Sequence, residues 1–139
     1  MKFISSPLRV PAALSSATLL LLALAACGDP RYKAPAIVVQ FDPAFAPPSS
    51  LDTGAYAGIA ADVSNDSKNA GVTFSCTPAG SCGSFTPAAI ASAVPSCYLA
   101  PDSVPSGNEV TVTATSVTDP SKSISSSITI VSGAANPCP

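Results

Sequence analysis

Five cysteines, Cys27, Cys76, Cys82, Cys97 and Cys138, are the side chains of this 139-residue chain best suited to covalent chemistry. Thiols form disulfides, carry thioether or acyl groups, or ligate soft metals. The metal use fits poorly. Structural zinc sites draw cysteines in pairs separated by about two to four residues, and no two cysteines here are that close. Histidine is absent, which excludes Ser-His-Asp and Cys-His nucleophile systems and histidine-based metal sites. There is no glycine-rich phosphate loop. Asp42, Asp52, Asp102 and Asp119 each stand singly beside turn-forming residues. Paired-carboxylate glycoside hydrolysis needs two such groups about 5 to 10 Å apart in a walled cleft, and this chain is too small to build one. Asp62, Asn65, Asp66 and Asn69 form the one oxygen-rich cluster. Calcium would take such oxygens, but Asn and Asp also form bends and tolerate left-handed backbone, and turn chemistry is the favoured reading. No enzyme and no cofactor are expected.

The front of the chain has the layout of an export signal: Lys2 and Arg9, then an apolar run densest at Leu19–Leu24, then small residues. Val10 to Ala26 is about 17 residues, short of the roughly 20 that span a bilayer as a helix. Leu24-Ala25-Ala26-Cys27 resembles the lipobox of bacterial lipoproteins, position by position. The resemblance implies a helical signal peptide over 1–26 and cleavage before Cys27. It also implies a diacylglycerol thioether on Cys27 Sγ and an acyl chain such as palmitate on the new amine. Each buried CH₂ of such chains contributes about 0.8 kcal/mol, so two or three chains hold where one would not. Gly28, after the cysteine, favours the outer membrane or cell surface. Residues 27–35 then read as a short tether carrying the lipidated Cys27, with the chain's attachment to the membrane made there.

Removing 26 of 139 residues leaves 113, enough for one domain. Every acid follows Cys27 and two of the six bases precede it, so 8 acids face 4 bases and the mature net charge is −4. Nucleic acid is thereby excluded as a partner, because its phosphates require a basic surface. An exported chain meets an oxidising compartment. With Cys27 lipidated, Cys76, Cys82, Cys97 and Cys138 remain, and four cysteines allow three pairings. The expected pairs are Cys76–Cys82, whose intervening Pro78 and Gly80 let the chain fold back, and Cys97–Cys138, which would pin the tail.

The elements that must carry these cysteines read as strands. Ala36–Phe41 is β-branched and stops at Asp42-Pro43; Phe45–Ser50, with Pro47-Pro48, is a loop or edge segment. Tyr56–Val63 reads as one strand with Ala57, Ile59, Ala61 and Val63 on one face. Val72–Cys76 turns Val72, Phe74 and Cys76 inward. Cys82–Phe85 is expected to pair back across the disulfide loop, Thr86–Pro95 to be irregular, and Ser96–Leu99 to be a brief strand. The strongest pattern is a hairpin. Val110, Val112 and Ala114 alternate with threonines up to a turn at Thr118–Ser121, and Ile124, Ser126, Ile128 and Ile130 alternate on the return. A period of two over both arms means a sheet with one buried face. Residues 133–139 read as a tail that only Cys138 could fix.

These short strands with no convincing helix indicate an all-β sandwich. A series of motifs carries a more specific resemblance. They are Asn65-Asp66, Gly71–Cys76, Cys82–Phe85, Tyr98-x-Ala100-Pro101, Val104–Gly107, Val110–Val117 and Lys122-Ser-Ile. Together they resemble bacterial Ig-like domains of the group 2 kind. The resemblance implies an antiparallel β-sandwich of about seven strands over 36–132, with Phe74 where that family often has Trp. It further implies a non-enzymatic interaction or structural module at the cell envelope, with an envelope protein or glycan as partner. A second reading is a carbohydrate- or small-ligand-binding accessory module using exposed aromatics. Phe45 is the ring expected at the surface; Phe74 and Tyr98 are expected in the core.

Overall fold

In a computed structural model, residues 33–136 are described. The signal segment, Cys27 and Cys138 lie outside them. Among the described residues there is no helix, and ten short strands follow in order. They are β1 (Val38–Phe41), β2 (Ser50–Asp52), β3 (Tyr56–Ile59), β4 (Ala61–Ser64), β5 (Val72–Thr77), β6 (Ser84–Thr86), β7 (Ala89–Ile90), β8 (Ser96–Leu99), β9 (Glu109–Ser116) and β10 (Ser123–Val131). One sheet has the order β2-β10-β9-β5-β7. Facing it are a three-stranded sheet, β3-β8-β6, and a two-stranded one, β1-β4. The result is a sandwich-like all-β body.

The hairpin dominates it. In β9, Val110, Val112, Ala114 and Ser116 are buried while the intervening threonines are half-exposed. In β10, Ile128 and Ile130 are buried and Ile124 packs on the core edge. The register explains the small residue at 114. Ala114 lies between Phe74 of β5 and Ile124 of β10, and a larger side chain there would compete with the Phe74 ring for the same layer. Against this face pack Val39 of β1, Ile59 of β3, Ala61 of β4 and Tyr98 of β8.

The structure departs from the sequence reading in five places. Tyr56–Val63 is two strands, not one. Ala57, Ile59, Ala61 and Val63 all meet the core, as the alternation requires. The ladder nevertheless breaks at Ala60, whose N–H donates to Phe45 O (3.0 Å) and whose carbonyl accepts from Asp42 N (3.0 Å). The 42–45 turn takes Ala60 out of the ladder, so β3 pairs with β8 while β4 pairs with β1. Second, β6 pairs with β8, not with β5 across the disulfide loop. Third, the sandwich is not wholly antiparallel: β2 runs parallel to β10, Leu51 opposite Ile130. Fourth, the tail is held through main-chain hydrogen bonds. Asn136 N–H donates to Gly54 O (3.2 Å), Gly133 N–H donates to Thr53 Oγ1 (3.4 Å), and Asn136 bridges Ala55. Fifth, of the expected irregular span Thr86–Pro95, Thr86 instead closes β6 and Ala89–Ile90 form β7, and the rest is irregular.

Candidate functional site

Cys76 is the penultimate residue of β5, and the chain returns at Cys82 just before β6. The two are joined in a disulfide with Cα atoms 5.8 Å apart, as Pro78 and Gly80 in the loop allow. Next to it Gly83 has φ +90°, and a Cβ there would overlap the Leu99 carbonyl oxygen. Only glycine lets the loop lie this close to β8. Tyr98 secures the loop from below. Its side chain is fully buried, and its hydroxyl donates to Cys82 O at 2.5 Å. Its ring meets Phe85 directly across β6 (centroids 4.9 Å apart), and Phe85 stacks on Phe74 of the opposite sheet at 5.0 Å. Three rings thus cross the sandwich and end beneath the disulfide.

Burial pushes the Tyr98 phenol up to about 12 from 10.0. The unfolded chain therefore releases this proton first. The stabilisation is whole below pH 10 and drains away as pH rises to about 12. The loss is up to about 3 kcal/mol across that window. Urea denaturation at stepped alkaline pH is expected to show this decline in the native chain and its disappearance in Tyr98→Phe; parallel curves would contradict it.

Beside the disulfide loop is an open depression of about 380 Å³, walled by Gly80, Ser81, Gly83, Ser84 and residues 99–103. Ser81, Ser84 and Ser103 supply hydroxyls, and Asp102 is the one ionisable side chain in its lining. A single exposed carboxylate among hydroxyls can accept hydrogen bonds from a polar ligand. Among the described residues the lining of the depression holds no second acid or base.

Cys97 and Leu99 alternate with the buried Ser96 and Tyr98, and so stand on the outer face of the three-stranded sheet. Cys97 is disulfide-bonded. Since Cys76 and Cys82 are joined to each other, its partner lies outside the described residues. On the same face Phe45 covers Gly58, with Pro95 adjacent. Phe45 is 41% exposed, whereas Phe74 and Tyr98 are in the core.

The oxygen-rich cluster behaves as a turn. Asp66 Oδ1 accepts from Lys68 N (3.0 Å) and Oδ2 from Ala70 N (2.9 Å). Partial burial raises the Asp66 carboxyl, but the nearby Thr118 hydroxyl and the amides of Ala70, Lys68 and Asn69 outweigh it and hold it below the usual carboxylate range. Thr118 Oγ1 is itself buried and makes no hydrogen bond of full geometry. The Asn65 amide donates to Ala36 O (2.9 Å), and Asn65 and Asn69 both adopt positive φ. With those groups committed to backbone, no metal-ligating group of His, Cys, Asp or Glu forms among the described residues. Asp119 is a second such cap. The Ser121 hydroxyl (2.7 Å) and amide (3.1 Å), helped by the Lys122 charge, hold it below the usual range. Comparison of the chain with family models, with curated proteins and with solved structures finds no match.

Proposed function

We propose that this protein is a non-enzymatic, lipid-anchored envelope protein, an Ig-like interaction or structural module attached to a bacterial membrane through Cys27. The strand order is the observation that carries the Ig-like part. The Ig sandwich sets strands A, B, E and D against C, F and G. Taking β1 as A, the split β3/β4 as B, β6 as D and β8 as E gives the first layer in order. Taking β5, β9 and β10 as C, F and G gives the second. The remaining β2 and β7 extend the edges of the second layer. The Cys76–Cys82 disulfide suits an exported protein, and a bond from Cys97 to Cys138 would fasten the tail to the outer face. Gly28 favours the outer membrane or cell surface, and an envelope protein or glycan is the partner. Labelled palmitate is expected to enter the native chain and to be absent from Cys27→Ala; equal incorporation would end the anchored reading.

Phe45 favours a second reading, a carbohydrate- or small-ligand-binding module, because its ring is exposed over a flat glycine-containing surface that a sugar face could stack on. On that reading, binding on a glycan array is lost in Phe45→Ala, and binding that survives the substitution counts against it.

A further inference from the structure

The anchored reading, on which the following rests, leaves open which end of the sandwich meets the bilayer. The chain enters the body at Ala36, whose carbonyl is held by Asn65 of the β4–β5 loop, and β1 begins opposite Ser64, the last residue of β4. The β9–β10 turn lies at this same end: Val117 N–H donates to Gly71 O (3.1 Å). The Cys76–Cys82 loop, the depression and the tail are at the other end, because β5, β10 and β8 all run or turn there. The eight residues from Gly28 to Pro35 extend at most roughly 29 Å. The nine-residue β10 is itself about 30 Å long. A body tied that closely presents its entry end to the lipid.

Charge divides the same way. Lys68 and Lys122 are the lysines of the β4–β5 loop and the β9–β10 turn, and Arg31 and Lys33, with one acid, Asp29, lie just upstream of Ala36 in sequence. The carboxylates at this end are Asp66 and Asp119, held ionised by backbone amides, and Asp62 of β4, two residues before Ser64; they balance the lysines, so this end is near neutral. The opposite end carries Asp52 against Val131, Asp102 in the depression, and Glu109 against Thr129, with no lysine or arginine among the described residues there. Exposed valines occur at both ends, Val38 and Val117 at one, Val104 and Val131 at the other, so charge and not apolar content distinguishes them.

We infer that the β4–β5 loop and the β9–β10 turn, through Lys68 and Lys122, rest on an anionic lipid surface, and that the disulfide end with its serine-lined depression faces away from it. Cations near an anionic leaflet are attracted within a Debye length, and acids are repelled. The cluster of carboxylates therefore opposes the inverted orientation.

The test uses the full lipid-modified chain in two sets of vesicles, phosphatidylcholine alone and phosphatidylcholine with phosphatidylglycerol. Flotation reports attachment, and acylation of lysine amines with an N-hydroxysuccinimide ester, read by mass spectrometry, reports contact. Lys68 and Lys122 are expected to react several-fold more slowly on the phosphatidylglycerol vesicles, with the difference removed by 1 M salt. Carbodiimide labelling of Asp102 and Glu109 is expected to be the same on both. Flotation with both vesicles and equal lysine rates would overturn the orientation while leaving the anchor intact. Failure to float with either would remove the anchor reading and the orientation with it.

Discussion

Tyr98→Ala is expected to cost about 3–5 kcal/mol, the range for deleting a buried aromatic ring. The loss has three parts. The ring leaves a cavity between β8 and the hairpin; the Phe85 face loses its tilted partner; and Cys82 O loses the hydroxyl that satisfies it. The last part is separable, because Tyr98→Phe keeps the ring and removes only the donor, for roughly 1–3 kcal/mol. For a domain near 100 residues each kcal/mol moves Tm by about 4–8 °C, so thermal melts resolve the two variants easily. Since domains are stable by only about 5–15 kcal/mol, the alanine variant is left close to unfolding. A melt within a few degrees of the native chain would mean that the three-ring stack is not what supports the disulfide loop.

The second large effect tests the faces of the central strand. Val112 is fully buried on β9, between Cys76 of β5 and Ser126 of β10. Val112→Asp puts a carboxylate there with no cation in reach, at a cost of about 4 kcal/mol or more, and the expected product is insoluble or unfolded. The neighbouring Thr113→Asp points the same group outward. It forfeits the Thr113–Ser125 hydroxyl contact (2.8 Å) and some strand propensity, together about 1 kcal/mol. Soluble yield and urea midpoints of the pair check it. Similar behaviour of the two variants would contradict a sandwich with this face inside.

What was legible in the sequence follows from what each signal measures. Period-two alternation reports which side chains face apolar neighbours, so Val110, Val112, Ala114, Ile128 and Ile130 were readable, as were the inward faces of Phe74 and Ile59. Alternation does not report which strand supplies the hydrogen bonds. The break at Ala60 was hidden for that reason: residues 57, 59, 61 and 63 keep their face while the ladder changes partner. The same limit concealed β6 joining β8 and β2 lying parallel to β10. Cys76–Cys82 was readable because loop geometry leaves short-range pairs few options. The contact between the Tyr98 hydroxyl and Cys82 O was not, because it joins residues 16 apart through a backbone carbonyl, which has no signature in side-chain type. The tail was misjudged similarly: Asn136 and Gly133 are fixed through main-chain atoms.

The short β2 has a consequence for self-association. It covers only Thr129–Val131 of β10, so among the described residues the run from Ser123 to Ile128 has no ladder partner on that side. A bare strand border of this length is a template on which another copy can dock and grow. The run is Ser-Ile-Ser-Ser-Ser-Ile, and its outward positions carry hydroxyls where valines would make a sticky, aggregation-prone margin. Those serines keep this border hydrophilic where it is left without a strand partner.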